Sequence, residues 1–228
     1  MDKLTDTLFV IPARGGSKGL PGKNIKELCG KPLIAYSIDV ARVFVDDTHI
    51  CISTDSVEIK DVVELYGLAV PFLRPAHLAT DTATTNDVLV HAVKFFKEQG
   101  VEYKKLVLLQ PTSPLRTSLD IKGAMELYRD DIDMVVSVIK SHAPAVLCSE
   151  NEDGFVELVY NKNAVGRQQL QDMYEFNGAV YIINVQSLLE KGFSGFTRKI
   201  KYVMSKEHSV DIDDIYDFYQ VETIIKRR

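Results

Sequence analysis

Two groups of residues in this chain combine types and spacings that can do chemistry. The first is PARGGSKGLPGKN, Pro12 to Asn24, which carries four glycines and the three cations Arg14, Lys18 and Lys23. Glycines let backbone N–H groups come close to a ligand, and the cations favour an anionic one. The stretch directly follows the apolar run Leu8-Phe9-Val10-Ile11. It therefore stands at the carboxyl end of a buried strand, where open α/β sheets gather their ligands. The backbone from Arg14 through Gly15 to Gly19 can wrap a triphosphate whose charge Arg14, Lys18 and Lys23 neutralise. A flexible, basic surface loop is the alternative. Register sets the loop apart from two common phosphate motifs: aligned on Gly22, both G-x-x-x-x-G-K-[ST] and G-x-G-x-x-G place Ser17 where glycine is required.

The second group is Asp211-Ile212-Asp213. On an extended chain, carboxylates at i and i+2 share one face, with Ile212 turned the other way into a core. Mg²⁺ takes one or two carboxylates together with substrate phosphates, so this pair suits it. Asp213 also stands just before the last helical pattern and can serve as its N-cap. Spacing alone leaves both roles open, and they can coexist. Asp214 and Asp217 read as solvated charges on the helix face.

Between these groups lie smaller signals. Gln110 ends an apolar run and is followed by Pro111-Thr112-Ser113-Pro114, where two prolines bracket a polar pair in a rigid turn. The plainer reading is a strand-to-helix turn with Ser118 capping the helix. Arg74 precedes Pro75, which restricts its backbone. Thr84 and Thr85 can cap the helix after them. Arg116 reads as structural, paired with an acidic neighbour. His49, His91, His142 and His208 show no ligand or triad spacing. The three cysteines, Cys29, Cys51 and Cys148, have no C-x-x-C spacing, which predicts reduced thiols in a cytoplasmic protein.

These residues need a scaffold. The chain has 228 residues, 46% hydrophobic and 26% charged, which suits one α/β domain over 1–228. A net charge of -5 argues against a nucleic-acid binder. No apolar run is long enough to span a bilayer, and the first residues lack the apolar region of a signal peptide. Strands are predicted at Leu8–Ala13, His49–Ser53, Leu106–Gln110, Met134–Ile139, Ala179–Val185 and Ile200–Met204, with Val70–Leu73 a short extended piece. Helical faces are formed by Ile34/Ile38/Ala41/Val45 from Pro32 onward, by Ile59/Val62/Val63/Tyr66, and by Val88/Leu89/Ala92/Val93/Phe96. Ile121/Ala124/Met125/Tyr128 and Ile215/Phe218/Val221/Ile225 form two more. The alternation predicts a mostly parallel sheet with helices on both faces. From 141 to 176 the rhythm breaks in a polar excursion with one strand-like piece, Phe155–Tyr160, which reads as a lid, an arm or a dimer contact.

The Ala13–Asn24 loop resembles the signature of the CMP-sialic acid synthetases (N-acylneuraminate cytidylyltransferases). Ser53-Thr54-Asp55, the segment Arg74 to Ala83, Leu109 to Arg116, Arg167-Gln168-Gln169, Asn177 to Ile182 and Ser209 to Asp213 continue the likeness in family order across nearly the whole chain. The resemblance implies a Rossmann-like, three-layer nucleotidyltransferase fold. It implies that CTP and a nonulosonic acid give the CMP-sugar and pyrophosphate, the anomeric C2 hydroxyl attacking the α-phosphorus in line. Arg14 and Lys23 would act on the phosphates, with Ala13, Gly15, Lys18 and Asn24 beside them. Arg74, Ala83 and Thr85 would meet the nucleoside. Gln110, Arg167, Asn177 and Tyr181 would line the sugar side, and Asp211 and Asp213 would bind Mg²⁺. In such relatives the excursion, here 141–176, is an arm that carries an arginine, matched by Arg167, into the second subunit of a homodimer.

One departure concerns the sugar. Glu175 stands where many members of that family have an arginine, two residues before Asn-Gly, so an anion replaces a cation beside an anionic substrate. N-acetylneuraminate, its deaminated form and legionaminate-type sugars all stay open. The rival readings are a CMP-Kdo synthetase and a non-catalytic nucleotide-binding regulator.

Overall fold

The computed structural model describes residues 3–16, 19–141, 147–150, 152, 154–158 and 172–228. Lys18 and the Arg167-Gln168-Gln169 segment lie outside the described residues. Strand β1 (Thr7–Pro12) leads through the glycine-rich loop to a small hairpin, β2 (Glu27–Leu28) and β3 (Lys31–Pro32), and then to helix α1 (Leu33–Arg42). Strand β4 (Ile50–Ser53) is followed by α2 (Val57–Leu65) and α3 (Thr85–Glu98), and β5 (Lys105–Leu108) by α4 (Ser118–Glu126). After β6 (Met134–Ser141) come the short antiparallel pair β7 (Cys148–Glu150) and β8 (Val156–Leu158). The chain then forms β9 (Met173–Asn184), α5 (Val185–Lys191), β10 (Lys199–Val203) and α6 (Ile215–Lys226).

Six strands form the main sheet in the order β10-β6-β9-β5-β1-β4. Five run parallel; β9 alone is antiparallel, to both β5 and β6. Side chains alternate across the sheet. Phe9 and Ile11 of β1 join Ile34 and Ile38 of α1, Val63 of α2 and Ile121 of α4 in one core. Leu8 and Val10 join Leu89 and Val93 of α3 and Leu188 of α5 in the core on the other face. This is the predicted three-layer arrangement. A third cluster, Leu28, Leu33, Leu115, Ile212, Phe218 and Val221, seats α6 against the hairpin and the segment that precedes α6.

Three local expectations are corrected. Helix α1 begins at Leu33, one residue late, because Cys29 (φ 50) and Gly30 (φ 89) turn the chain into the hairpin and Pro32 remains extended. The cap of α4 is Thr117 and not Ser118: Thr117 accepts from the Asp120 N–H while the Asp120 carboxylate accepts from the Thr117 N–H. The cap of α6 is Asp214 and not Asp213, and Asp217 completes the same reciprocal box. Asp214 and Asp217 are therefore capping groups, and the Asp213 carboxylate has no capping duty.

The return of the excursion also differs. Met173 to Phe176 already pair with Ser141 to Val138, so β9 starts within the predicted excursion. Between Val136 and Val138 the β6–β9 ladder shifts register, and Asn177 stitches the irregularity. Its Oδ1 accepts from the Ser137 hydroxyl (2.6 Å) and the Ala179 N–H (3.2 Å), while its Nδ2 donates to Ser209 Oγ (2.8 Å) and Met204 Sδ (3.3 Å).

At the far end of the sheet, buried Asp133 joins three elements. Its carboxylate accepts from Lys191 Nζ (2.6 Å), Ser187 Oγ (2.8 Å) and the N–H groups of Thr197 (3.0 Å) and Arg198 (2.9 Å). The Lys191 hydrogen bond, followed by the Arg198 N–H, holds this carboxyl far below the usual carboxylate range. Its stabilisation is complete above the unfolded pKa near 4 and is lost as pH falls below that toward the folded value. Asp133→Asn should cost about 2–3 kcal/mol at pH 7, or roughly 5–10 °C in melting midpoint. Melting curves between pH 7 and pH 3 should show the gap to wild type narrowing in acid; a constant gap would contradict the assignment.

Candidate active site

The connection from β1 through α1 leads to β4 on one side, while α3 leads back to β5 on the other. Ligands collect where connections diverge in this way, beyond the carboxyl ends of the strands. A cavity of about 450 Å³ opens there, lined by Arg14, Gly19, Lys23, Asn24, Gln110, Asp211 and Asp213 among others. A second, of about 270 Å³, is lined by Arg74, Ala83, Thr84 and Thr85. Pro12, Arg14 and Gln110 belong to both, so the two form one cleft. Residues spread over 200 positions of sequence, from Arg14 to Asp213, thus face one space.

The glycine loop and the acidic segment close on each other. A Cβ on Gly19 would lie 2.4 Å from the Asp213 carbonyl oxygen, so only glycine permits this approach. Lys23 begins a one-turn 3₁₀ helix whose cap, Gly22, has φ 66. Its ammonium donates to the Ile212 carbonyl and lies 4.0 Å from Asp213 Oδ1, with the lysine side chain 11% exposed and that of Asp213 86% exposed. Asn24 Nδ2 donates to the Arg14 carbonyl at 3.1 Å, fixing the shape of the loop. Ile212 is fully buried, as its i+1 position between two outward carboxylates requires. Its N–H donates to the Thr112 carbonyl at 2.8 Å, and Ser113 Oγ donates to Asp211 Oδ1 at 3.2 Å.

Asp211 and Asp213 therefore present two carboxylates to the same cavity. No group of three or more His, Cys, Asp or Glu among the described residues is arranged to hold a metal. Two oxygens from protein, with the rest from water or phosphate, is a donor set that fits Mg²⁺.

In the second cavity, Arg74 is buried and donates to Ser53 through Nε to the hydroxyl (3.0 Å) and through Nη2 to the carbonyl. Burial pushes its pKa down, with Asp55 opposing. The Thr84 hydroxyl caps α3 by accepting from the Asp87 N–H, and Thr85 opens the helix. Arg14 Nη1 reaches across the cleft to Asp81 Oδ1 at 3.0 Å. Sequence reasoning did not single out Asp81; its signal was its place in the Thr80-Asp81-Thr82-Ala83 stretch.

Other expected residues are not among those lining these two cavities. The Ala13 side chain is in the core, and its N–H donates to the Ser53 carbonyl at 2.9 Å. The Gly15 N–H donates to Asp55 Oδ1 at 3.0 Å. Asn177 is not among the residues lining the two cavities, and bulge contacts engage its amide on both sides; its neighbour Gly178 (φ 72) lies against the Gln110 side chain. A Cβ there would come within 2.5 Å of Gln110 Oε1, so glycine lets the Gln110 side chain lie on the β9 backbone. Tyr181 is partly buried on β9, and burial with the nearby Asp211 charge pushes its phenol pKa up. Arg116 is buried but has no carboxylate within ion-pair distance among the described residues. It donates to Ser37 Oγ (2.9 Å) and to the Gln110 carbonyl. Burial pushes it down to about 9, against the charges of Asp211 and Asp120.

An α/β fold with a strand-end cleft of cations and paired acids defines a nucleotidyltransferase-type architecture. The chain belongs to the cytidylyltransferase family: the family's model matches residues 8–221. It is 39% identical over 220 residues to the N-acylneuraminate cytidylyltransferase of Streptococcus agalactiae, covering 94% of this chain and 52% of that protein. The chain thus spans about half the length of that curated relative. It is 36% identical over 230 residues to the CMP-N,N'-diacetyllegionaminic acid synthase of Legionella pneumophila, covering 96% of each. The solved CMP:2-keto-3-deoxy-manno-octonic acid synthetase complexed with CTP shares the fold, with TM-score 0.70 and 18% identity over 97% of this chain and 98% of that one. Among the described residues no helix is long and apolar enough to cross a membrane.

The Gly19 contact is directly testable. Gly19→Ala must push the loop from the Asp213 carbonyl by a sizeable fraction of an ångström. A loss on the order of 10²-fold in catalytic efficiency is expected, with the melting midpoint within a few degrees of wild type. Unchanged kinetics would show that the contact does not set the loop.

Proposed function

We propose that this chain is a Mg²⁺-dependent cytidylyltransferase that transfers CMP from CTP to the anomeric C2 hydroxyl of a nonulosonic acid and releases pyrophosphate. The observation that carries this reading is the convergence of Arg14, Lys23, Asn24, Gln110, Asp211 and Asp213 on one strand-end cavity. The reaction brings an anionic sugar acid to a polyanion, so the site must hold two like charges together and stabilise charge on the departing pyrophosphate. Arg14, Lys18 and Lys23 serve the phosphates, and Asn24 holds the loop against the nucleotide. Arg74, Ala83 and Thr85 bound the smaller cavity, which receives the cytidine. Gln110 and Tyr181 face the sugar, with Asn177 acting through the bulge that seats Gln110. When bound to Asp211 and Asp213, Mg²⁺ screens the phosphates and withdraws charge from the reacting phosphorus.

The likeness to the N-acylneuraminate cytidylyltransferase and the CMP-N,N'-diacetyllegionaminic acid synthase supports a nine-carbon sugar acid as acceptor. Glu175, paired with the Ser141 hydroxyl beyond the bulge, replaces a cation of the resembled family and bears on which acid is preferred. In this reading the protein is a cytoplasmic homodimer, one domain over 1–228 with the 141–176 arm crossing to the second subunit, and Arg167 acts in the partner's site.

Pyrophosphate release should require CTP, Mg²⁺ and a nonulosonic acid together; a panel of N-acetylneuraminate, its deaminated form and legionaminate identifies the acceptor. CTP binding without turnover on any of them would sink the proposal. Asp213→Ala should lower kcat by at least roughly 10²-fold while the protein still melts cooperatively; wild-type turnover would remove Asp213 from the site. Arg167→Ala and Asp213→Ala, each inactive alone, should regain activity on mixing and subunit exchange, since a heterodimer restores one intact site. Failure to regain it in verified heterodimers would exclude the crossing arm.

A further inference from the structure

The two carboxylates at the cleft are held very differently. The Asp213 side chain is 86% exposed, and among the described residues the one cation within ion-pair distance of it is Lys23, whose Nζ lies 4.0 Å away. Asp211 is partly buried and accepts a hydrogen bond from Ser113 Oγ at 3.2 Å. Ser113 is itself fully buried, so its hydroxyl cannot be there to meet solvent or a freely diffusing ligand. An ionised carboxylate only accepts, so the single hydroxyl proton must be directed at Asp211.

The donor is also rigidly mounted. The Ser113 N–H donates to the Gln110 carbonyl at 3.3 Å, and the Ile212 N–H donates to the Thr112 carbonyl at 2.8 Å. The turn and the acidic segment are thereby joined by one backbone and one side-chain bond. Behind them the buried Arg116 guanidinium grips the same Gln110 carbonyl.

We propose that Ser113 is a positioning residue for the cation, its hydroxyl fixing Asp211 as the rigid half of the Asp211–Asp213 clamp. This rests on reading those two carboxylates as the cation's ligands. A hydrogen bond to a ligating carboxylate orients it, and losing such a partner typically weakens metal affinity by 10–100-fold. Asp213, exposed and 4.0 Å from Lys23 Nζ, would be the half left free to adjust to the cation.

The test is Mn²⁺ affinity, read from the electron paramagnetic resonance of free Mn²⁺ in the presence of α,β-methylene-CTP. Wild type, Ser113→Ala, Ser113→Cys and Asp211→Asn are compared, with melting curves for each. Ser113→Ala should weaken Mn²⁺ binding by roughly tenfold or more and raise the Mg²⁺ concentration for half-maximal pyrophosphate release in parallel. KM for CTP at saturating metal should change little. Ser113→Cys keeps the side-chain size but offers only a weak donor, and should show a similar loss if Ser113→Ala proves poorly folded. Mn²⁺ affinity within twofold of wild type in a folded Ser113 variant, while Asp211→Asn loses it, would overturn the role of Ser113 alone. Wild-type affinity in Asp211→Asn would instead overturn the carboxylate clamp and this inference with it.

Discussion

The walls of the cleft meet at Ile212. Its side chain is buried with Phe218 and Val221 of α6 and with Leu28 and Leu33 near the hairpin. Its N–H ties it to the turn after β5, and its carbonyl receives the Lys23 ammonium from the glycine loop. One residue thus links the last helix, a central strand and the loop after β1. Because side chains alternate on an extended chain, burying Ile212 forces Asp211 and Asp213 outward together. Hydrophobic burial, which is non-directional, is here converted into a fixed orientation for two charges.

The positive side of the site follows a related rule. Lys23, Arg74 and Arg116 are all buried, at 9%, 7% and 5% exposure. Each donates to a main-chain carbonyl: Ile212 for Lys23, Ser53 at the end of β4 for Arg74, and Gln110 just after β5 for Arg116. A carbonyl satisfies the donor without cancelling the charge, whereas a close carboxylate would neutralise the pair. The only carboxylate within ion-pair distance of any of them, among the described residues, is Asp213 beside Lys23 at 4.0 Å. These three cations are therefore held in place before any anion arrives, at no cost in reorganisation.

Capping allows the acidic segment to work. Asp211, Asp213, Asp214 and Asp217 stand close together in sequence, yet they divide cleanly. Asp214 and Asp217 exchange hydrogen bonds with the first turn of α6, and negative charge is favourable there. Asp211 and Asp213 are left for the cleft. The sequence carried this signal, since an acceptor followed three residues later by an acid marks each of Thr84, Thr117 and Asp214. Reading the cap one residue early at α6 conflated the two duties.

Leu8–Ile11 was legible as an unbroken apolar run because β1 is buried on both faces, and α1 to α4 and α6 were legible because each buries one face, which leaves its period in the sequence. The cation-rich loop and the i, i+2 acids were legible as chemistry because their residue types have few other reasons to cluster. The direction of β9 was not, because alternation reads the same both ways along a strand; it is settled by the excursion leaving and re-entering the sheet at one end. The duty of Asn177 was also hidden, since its partners Ser137, Met204 and Ser209 are distant in sequence and meet only across a bulge. The same holds for Ser113 and Asp211, 98 positions apart, and for the three buried cations. Local pattern determined which elements form and which residue types bear charge, because both are set by neighbours along the chain. The tertiary structure alone decided which charges share one cavity and which are satisfied without being neutralised, because hydrogen bonding and burial depend on neighbours in space.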